Sequence, residues 1–231
     1  MRTDLPAAHT ALPRRRAGVR SAGLTALASL TLVGTASAQK TVAAAEGQPF
    51  GPLTTMSAEE QTRIALSTAP MEVSSSASVY ILTAKGYVEA RKGTNGFTCM
   101  IEREMLETIE PVCYDAEGTA TTVPARFYRE ELRAKGLSEA EVKRWLALGY
   151  KSGRLKAPRK PGLVYMLARE NWAWNSFAKK FHAGPPHYML YAPYATQESV
   201  GGAPSAQVPF VLWPGQPDAL IIIMAADNPL H

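Results

Sequence analysis

The chain has 231 residues, two of them cysteine, with 25 Lys+Arg against 20 Asp+Glu, and its formal charge of +5 and pI near 9.2 point at first sight to an anionic partner. That excess is local, because Arg2, Arg14, Arg15, Arg16 and Arg20, set against Asp4 alone, all lie within the first 38 residues. The rest holds 20 basic and 19 acidic side chains, a balance that excludes a nucleic-acid surface built on net charge.

Those first 38 residues have the parts of a cleavable signal peptide. The arginines open it, residues 22–34 are uncharged and mostly apolar, and Ala36-Ser37-Ala38 gives the small-x-small site. Cleavage is expected before Gln39. The apolar run falls short of the about 20 residues a membrane span needs. No cysteine at the cut offers a lipid anchor, and the consecutive arginines also suit a twin-arginine route. Nothing later is long and apolar enough to span a bilayer, so a secreted or periplasmic protein with no transmembrane segment is expected. In such an oxidising compartment Cys99 and Cys113 are expected to form a disulfide rather than a catalytic or metal site.

Residues 39–56, rich in small and polar types and without periodicity, read as a flexible lead-in. Ser57 with Glu60 has the capping-box spacing, and a helix over 58–68 stops at Pro70. The period then shifts towards two. Strands are predicted over 79–82, 87–91 and 97–101, with a turn at Lys85-Gly86. Thr94-Asn95-Gly96 reads as a hairpin, since Asn and Gly tolerate the positive φ of a tight turn. The three strands form an antiparallel meander, with Phe97, Cys99 and Ile101 on one face. Residues 110–113 bring the second cysteine back towards the first.

A helix over 125–135 is broken by Gly136. Ser138 and Glu141 then cap another, with Val142, Trp145, Leu146 and Leu148 on its apolar side. Residues 151–160 are basic and read as a solvated linker. Short strands follow over 163–168, 188–192, 210–213 and 219–224, the last apolar throughout and expected to be buried on both faces. The fold class is α+β: a single domain over 57–231, a mainly antiparallel sheet and two to three short helices.

Zinc-protease, nucleophile-elbow, phosphate-loop and dinucleotide motifs are all missing from the sequence, and no cofactor is expected. His182 and His187 flank Ala183-Gly184-Pro185-Pro186, a stiff loop leading into a strand. There an imidazole can act as a proton carrier or simply brace the loop. No metal is assigned, because two histidines need further ligands. The 171–177 segment sets Trp172 and Trp174 beside Asn171 and Asn175. It suits stacking on a flat or sugar-like ligand, or packing of Trp174, Phe177 and Phe181 at helical spacing with Lys179 and Lys180 on the wet side. Glu102, Glu104 and Glu107 offer the carboxylate pairing of glycoside hydrolysis, but such a run is expected to be a solvated face.

The block Arg91-Lys92-Gly93-Thr94-Asn95-Gly96-Phe97-Thr98-Cys99, followed by Cys113-Tyr114-Asp115, resembles a family of secreted bacterial proteins of unknown function that pair an LRxGTNGFTC segment with a later CxD. The likeness extends through Pro161-Gly162-Leu163-Val164-Tyr165-Met166-Leu167, Asn175-Ser176, Gly184-Pro185-Pro186-His187-Tyr188-Met189 and Phe210-Val211-Leu212-Trp213-Pro214-Gly215. It covers roughly residues 79–224. The resemblance implies one coherent domain and carries no activity with it. Where that family tends to carry a second histidine, this chain has Gln216-Pro217-Asp218-Ala219-Leu220, so a paired-histidine mechanism is not implied.

Two functions are therefore expected in competition. One is a secreted domain binding a small molecule, glycan or envelope component, with Thr94, Asn95, Trp174, Asn175 and Trp213 around a cleft that also holds His187. The other is a hydrolase-type enzyme with His187 as general base. A purely structural envelope protein without a cleft is the third possibility. Convergence of Asn95, Asn175 and His187 beside an acid or nucleophile favours the enzyme, convergence without one favours binding, and scattering favours structure.

Overall fold

Alternating apolar residues force the strands to bury both faces of one sheet. The computed structural model describes residues 50–175, 178–205 and 208–225, and there they form a single α+β domain. The leader, its cleavage site, residues 39–49 of the lead-in, Ser176, Phe177 and His231 lie outside the described residues. Eight strands make a mainly antiparallel sheet, numbered in chain order: β1 (Ser78–Thr83), β2 (Gly86–Arg91), β3 (Thr98–Glu102), β4 (Glu110–Tyr114), β5 (Leu163–Met166), β8 (His187–Tyr191), β9 (Phe210–Leu212) and β10 (Leu220–Met224). Their spatial order is β2-β1-β3-β4-β5-β8-β10-β9. Two more, β6 (Trp172–Asn175) and β7 (Lys180–Ala183), form a separate hairpin.

The predicted meander is corrected. β1 and β2 pair antiparallel, but β3 lies on the other side of β1 and runs parallel to it. Thr94-Asn95-Gly96 is therefore not a hairpin turn. It is a crossover around the start of β1, held by Thr94 N–H to Ser76 O at 2.8 Å and Gly93 N–H to Ser78 Oγ at 2.9 Å. Asn-Gly reports only the positive φ at Gly96, 79°, which a crossover needs as much as a hairpin. Gly93 is required for a different reason: a Cβ there would sit 2.1 Å from the Ser78 nitrogen.

Four α-helices are present among the described residues, where two to three short ones were expected: α1 (Ala58–Leu66), α2 (Met71–Ser74), α3 (Ala116–Ala134) and α4 (Glu139–Lys151). Ser57 caps α1 by accepting from Glu60 N–H at 3.0 Å, and Ser138 with Glu141 completes the reciprocal capping box of α4. α3 begins nine residues before its predicted start, because Asp115 caps it through Gly118 N–H at 3.0 Å. Pro124 is exposed within α3, so it neither ends the helix nor marks its beginning. No described helix is long and apolar enough to cross a membrane.

The pleat sorts side chains between two layers. Val79, Cys99, Ile101 and Cys113 face α1, while Met100, Val112, Tyr114, Val164 and Met189 face the side of α3. Cys99 and Cys113 are directly opposite on β3 and β4 and form the expected disulfide, with Cα atoms 3.9 Å apart. α1 is keyed to β1 by one residue. Gln61 is buried, donating from Nε2 to Leu82 O at 3.0 Å and accepting Leu82 N–H at 2.8 Å. β3 pairs with β1 only over Ser78–Tyr80, so the amide takes the place of the missing strand.

α3 lies over β2, β3 and β4 and reaches β8 at Tyr191, whose hydroxyl bonds the cap residue Asp115 at 2.9 Å. The other end of that sheet face is left without a helix. β10, predicted to be buried on both sides, exposes Met224 on this face for that reason and Ile223 on the opposite face, where α1 does not reach it. The helical alternative for Trp174 and Phe181 is also corrected: they lie on strands β6 and β7, while Phe177 lies outside the described residues. Trp174 meets Phe181 across the hairpin, with ring centroids 5.0 Å apart.

Candidate functional site

The helix-free end of the sheet face is a cleft of about 340 Å³, a size suited to a small molecule. Strand register brings its residues together. Glu102 stands opposite Glu110, Met166 opposite His187, and His187 opposite Met224. All project to the α3 side, as do Met189, Leu212 and Ile222 from neighbouring strands. The β6–β7 hairpin adds Trp174, Asn175 and His182 as a wall.

One rim is ionic. The buried Arg126 of α3 bonds Glu102 at 2.8 Å through Nε and Asp218 at 3.0 Å through Nη1. Tyr114 donates to the same Glu102 oxygen at 2.9 Å. The Arg126 guanidinium lies 4.3 Å from the centroid of the Trp213 indole, a cation–π contact. Trp213 has a positive φ of 51°, unfavourable for a bulky residue, and its Nε1–H donates to Glu104 Oε1 at 3.1 Å. Arg133 donates to the main-chain oxygens of Arg103 and Glu104 and fixes the strand end that carries these acids.

Glu110 accepts from Glu104 N–H at 2.6 Å and from the Thr108 hydroxyl at 3.2 Å. Burial, reinforced by the Glu104 and Glu102 carboxylates, nevertheless pushes its pKa up to about 8. The carboxyl is therefore largely protonated at neutral pH. His187 is buried, and burial lowers its pKa against the opposing bond to Pro185. Its Nδ1 lies 2.8 Å from Pro185 O, an atom that can only accept, so Nδ1 carries the proton and Nε2 is the ring's acceptor.

Asn171 completes the site. It is 3 % exposed and lines the cleft, yet its Oδ1 is buried without a hydrogen-bond partner. Gly184 makes room for it, since a Cβ there would stand 2.5 Å from Asn171 Nδ2.

Of the residues singled out from sequence, Trp174, Asn175, His187 and Trp213 all line this cleft. Thr94 and Asn95 do not. Asn95 braces the crossover instead, donating to Val73 O at 2.7 Å and accepting Phe97 N–H at 3.0 Å. The expectation of a solvated acidic face is corrected as well. Glu102 is buried, Glu104 and Glu107 are half-buried, and Glu102 and Glu104 line the cleft. Sequence reading missed Glu110 and named Asn171 only as part of the 171–177 segment. For Glu110 the signal was its even spacing with Val112 and Tyr114, which puts it on the α3 side. Among the described residues no group of three His, Cys, Asp or Glu is placed to hold a metal ion, and no Ser, Thr or Cys lines the cleft.

The fold and cleft define an α+β domain of one eight-stranded sheet and a two-stranded hairpin, with a small-molecule-sized cleft at one end of the larger sheet. No family model, no curated protein and no solved structure matches this chain.

Proposed function

We propose that this is a small-molecule-binding domain working outside the cytoplasm, its ligand held in the cleft between the open sheet end and the β6–β7 hairpin. The observation that carries the reading is the cleft's composition: apolar walls from four strands around a few polar groups that are buried and, at Asn171, unpartnered. A small-molecule site needs this combination, the walls for affinity and the polar groups for orientation. The disulfide between Cys99 and Cys113 supports the compartment, because such bonds persist where the medium oxidises.

The test is a titration of the full chain with N-phenyl-1-naphthylamine, a neutral apolar probe that fluoresces on burial. Saturable binding is expected, and Ala173→Trp, which fills the cleft from the hairpin side, should weaken it about tenfold or more. No saturable binding, or binding untouched by Ala173→Trp, would refute the reading.

An enzymatic reading has one observation in its favour: His187 offers a basic Nε2 in a cleft where Glu110 holds a proton. Asn175 and His187 meet there beside carboxyl groups, while Asn95 lies elsewhere. Under this reading His187 activates water directly, with no hydroxyl or thiol nucleophile from the described lining. Hydrolysis of a chromogenic ester or glycoside panel that disappears in His187→Gln would favour it over simple binding.

A further inference from the structure

Four of the groups at the polar end of the cleft, Glu104, Glu110, His187 and Asn171, present hydrogen-bond acceptors to it. Glu104 takes the Trp213 Nε1–H and forms no ion pair among the described residues. Glu110 sits against it through the Glu104 N–H. His187 turns its acceptor nitrogen outward from the Pro185 bond, and Asn171 brings a buried Oδ1 that no described residue satisfies. The last observation is independent of the acids, since Asn171 comes from the segment before β6. Among the described residues no Lys or Arg lines the cleft, and the Arg126 guanidinium over Trp213 is committed to Glu102 and Asp218.

An unpaired carboxylate beside apolar walls is costly unless an opposite charge reaches it. Burial keeps Glu110 protonated, the Glu104 and Glu102 carboxylates reinforce it, and that crowding of acids is what a cation would relieve. Meanwhile Met189, Leu212 and Ile222 offer only dispersion and burial, the needs of a hydrocarbon body.

We infer that the cleft takes an organic ammonium, its N–H groups directed to Glu104, Glu110 and Asn171 and its apolar body laid against Met189, Leu212 and Ile222. The inference rests on the binding reading above and narrows it to one ligand chemistry. An anionic ligand would meet Glu104 as a like charge. A neutral alcohol would leave that charge unanswered.

The experiment displaces bound N-phenyl-1-naphthylamine from the full chain with octylamine, octanol and octanoate at about pH 7, where the amine is cationic and the acid anionic. Octylamine should displace the probe at a concentration about tenfold lower than octanol, with octanoate weakest. In Glu104→Gln the amine-to-alcohol ratio should fall to within about twofold. It is read as a ratio, so any change in overall affinity cancels. Octanoate matching or exceeding octylamine in the unaltered protein overturns the inference, as does an undiminished ratio in Glu104→Gln. Should that variant fail to fold, the ranking of the three ligands on the unaltered protein still decides. Failure of the probe itself to bind is a separate outcome, and it overturns the binding reading and this inference together.

Discussion

Glu110 is the group whose chemistry can be read most directly, through the pH dependence of folding. In the unfolded chain its carboxyl titrates at the ordinary 4.5, and in the folded protein at about 8. Between those values the native state binds the extra proton, so stability is full below about pH 4.5 and falls as pH rises towards 8. A shift of that size, unscreened, corresponds to about 5 kcal/mol at 1.36 kcal/mol per unit. Water reaches the half-buried side chain from the cleft, so about half, roughly 2–3 kcal/mol, is the working figure. His187 acts in the opposite sense. Its lowered pKa makes stability rise with pH as the unfolded imidazole loses its proton near 6.5. The Glu110→Gln variant separates the two, because the amide mimics the protonated carboxyl and keeps acceptors for Glu104 N–H and the Thr108 hydroxyl. Urea unfolding from about pH 5.5 to about pH 8.5 covers about two-thirds of the range between 4.5 and about 8 and should show the unaltered protein losing roughly 1.5–2 kcal/mol relative to Glu110→Gln, at unchanged m-value. Parallel profiles for the two proteins would refute the reasoning.

Three further outcomes are expected. Replacing Cys99 and Cys113 together by alanine should cost about 3 kcal/mol in the chain-entropy account, measured by denaturant unfolding. The denatured, unreduced protein should titrate no free thiol. Gln61→Leu should destabilise by about 3 kcal/mol, because the buried N–H and C=O of Leu82 both lose their partner; a cost near zero would mean β1 does not depend on that amide. Expression in a secreting host followed by N-terminal sequencing should read Gln39 first, and an intact leader on protein recovered outside the cytoplasm would remove the cleavage assignment.

What the sequence made legible was local. Ser57 and Ser138 announced their helices because a cap is a contact between residues three apart. The disulfide was legible because a chain read as exported and holding two cysteines has one pairing to choose. Pairing direction was not. Asn95-Gly96 fixes a turn, but whether the chain then joins β2 or crosses to the far side of β1 depends on contacts with α2 and Ser78. The acids were misjudged for a related reason. A run of Glu looks solvated until one knows that Arg126, 24 residues beyond Glu102, returns on α3 to pair with it. Trp174 and His187 were found by their chemistry, whereas Glu110 needed the face on which β4 sets it.

The features that depart from ordinary folding economy gather at one place. Trp213 holds a left-handed backbone, Glu110 is kept from ionising, Asn171 leaves an oxygen unpaired, and Arg126 is buried with Nη2 unpartnered. A sheet end required only to be stable would not keep them: apolar residues in place of Arg126, Glu102 and Asp218 together and a glycine at Trp213 would avoid both costs. Their causes also interlock. Arg126 underlies the indole, the indole fixes Glu104, and the Glu104 N–H positions Glu110. The arrangement runs from the helix that closes the core to the acids at the open end, so the element that buries half the sheet face also poises the other half. Arg126→Lys keeps a positive charge for Glu102 and Asp218 but loses the flat guanidinium against the Trp213 indole, so it should leave α3 able to pack while loosening Trp213 and Glu104. In displacement assays the amine-to-alcohol ratio should fall even though residue 126 does not line the cleft. An unchanged ratio in a folded Arg126→Lys protein would show that the rim holds its shape without the guanidinium and that the strain at Trp213 serves the fold alone.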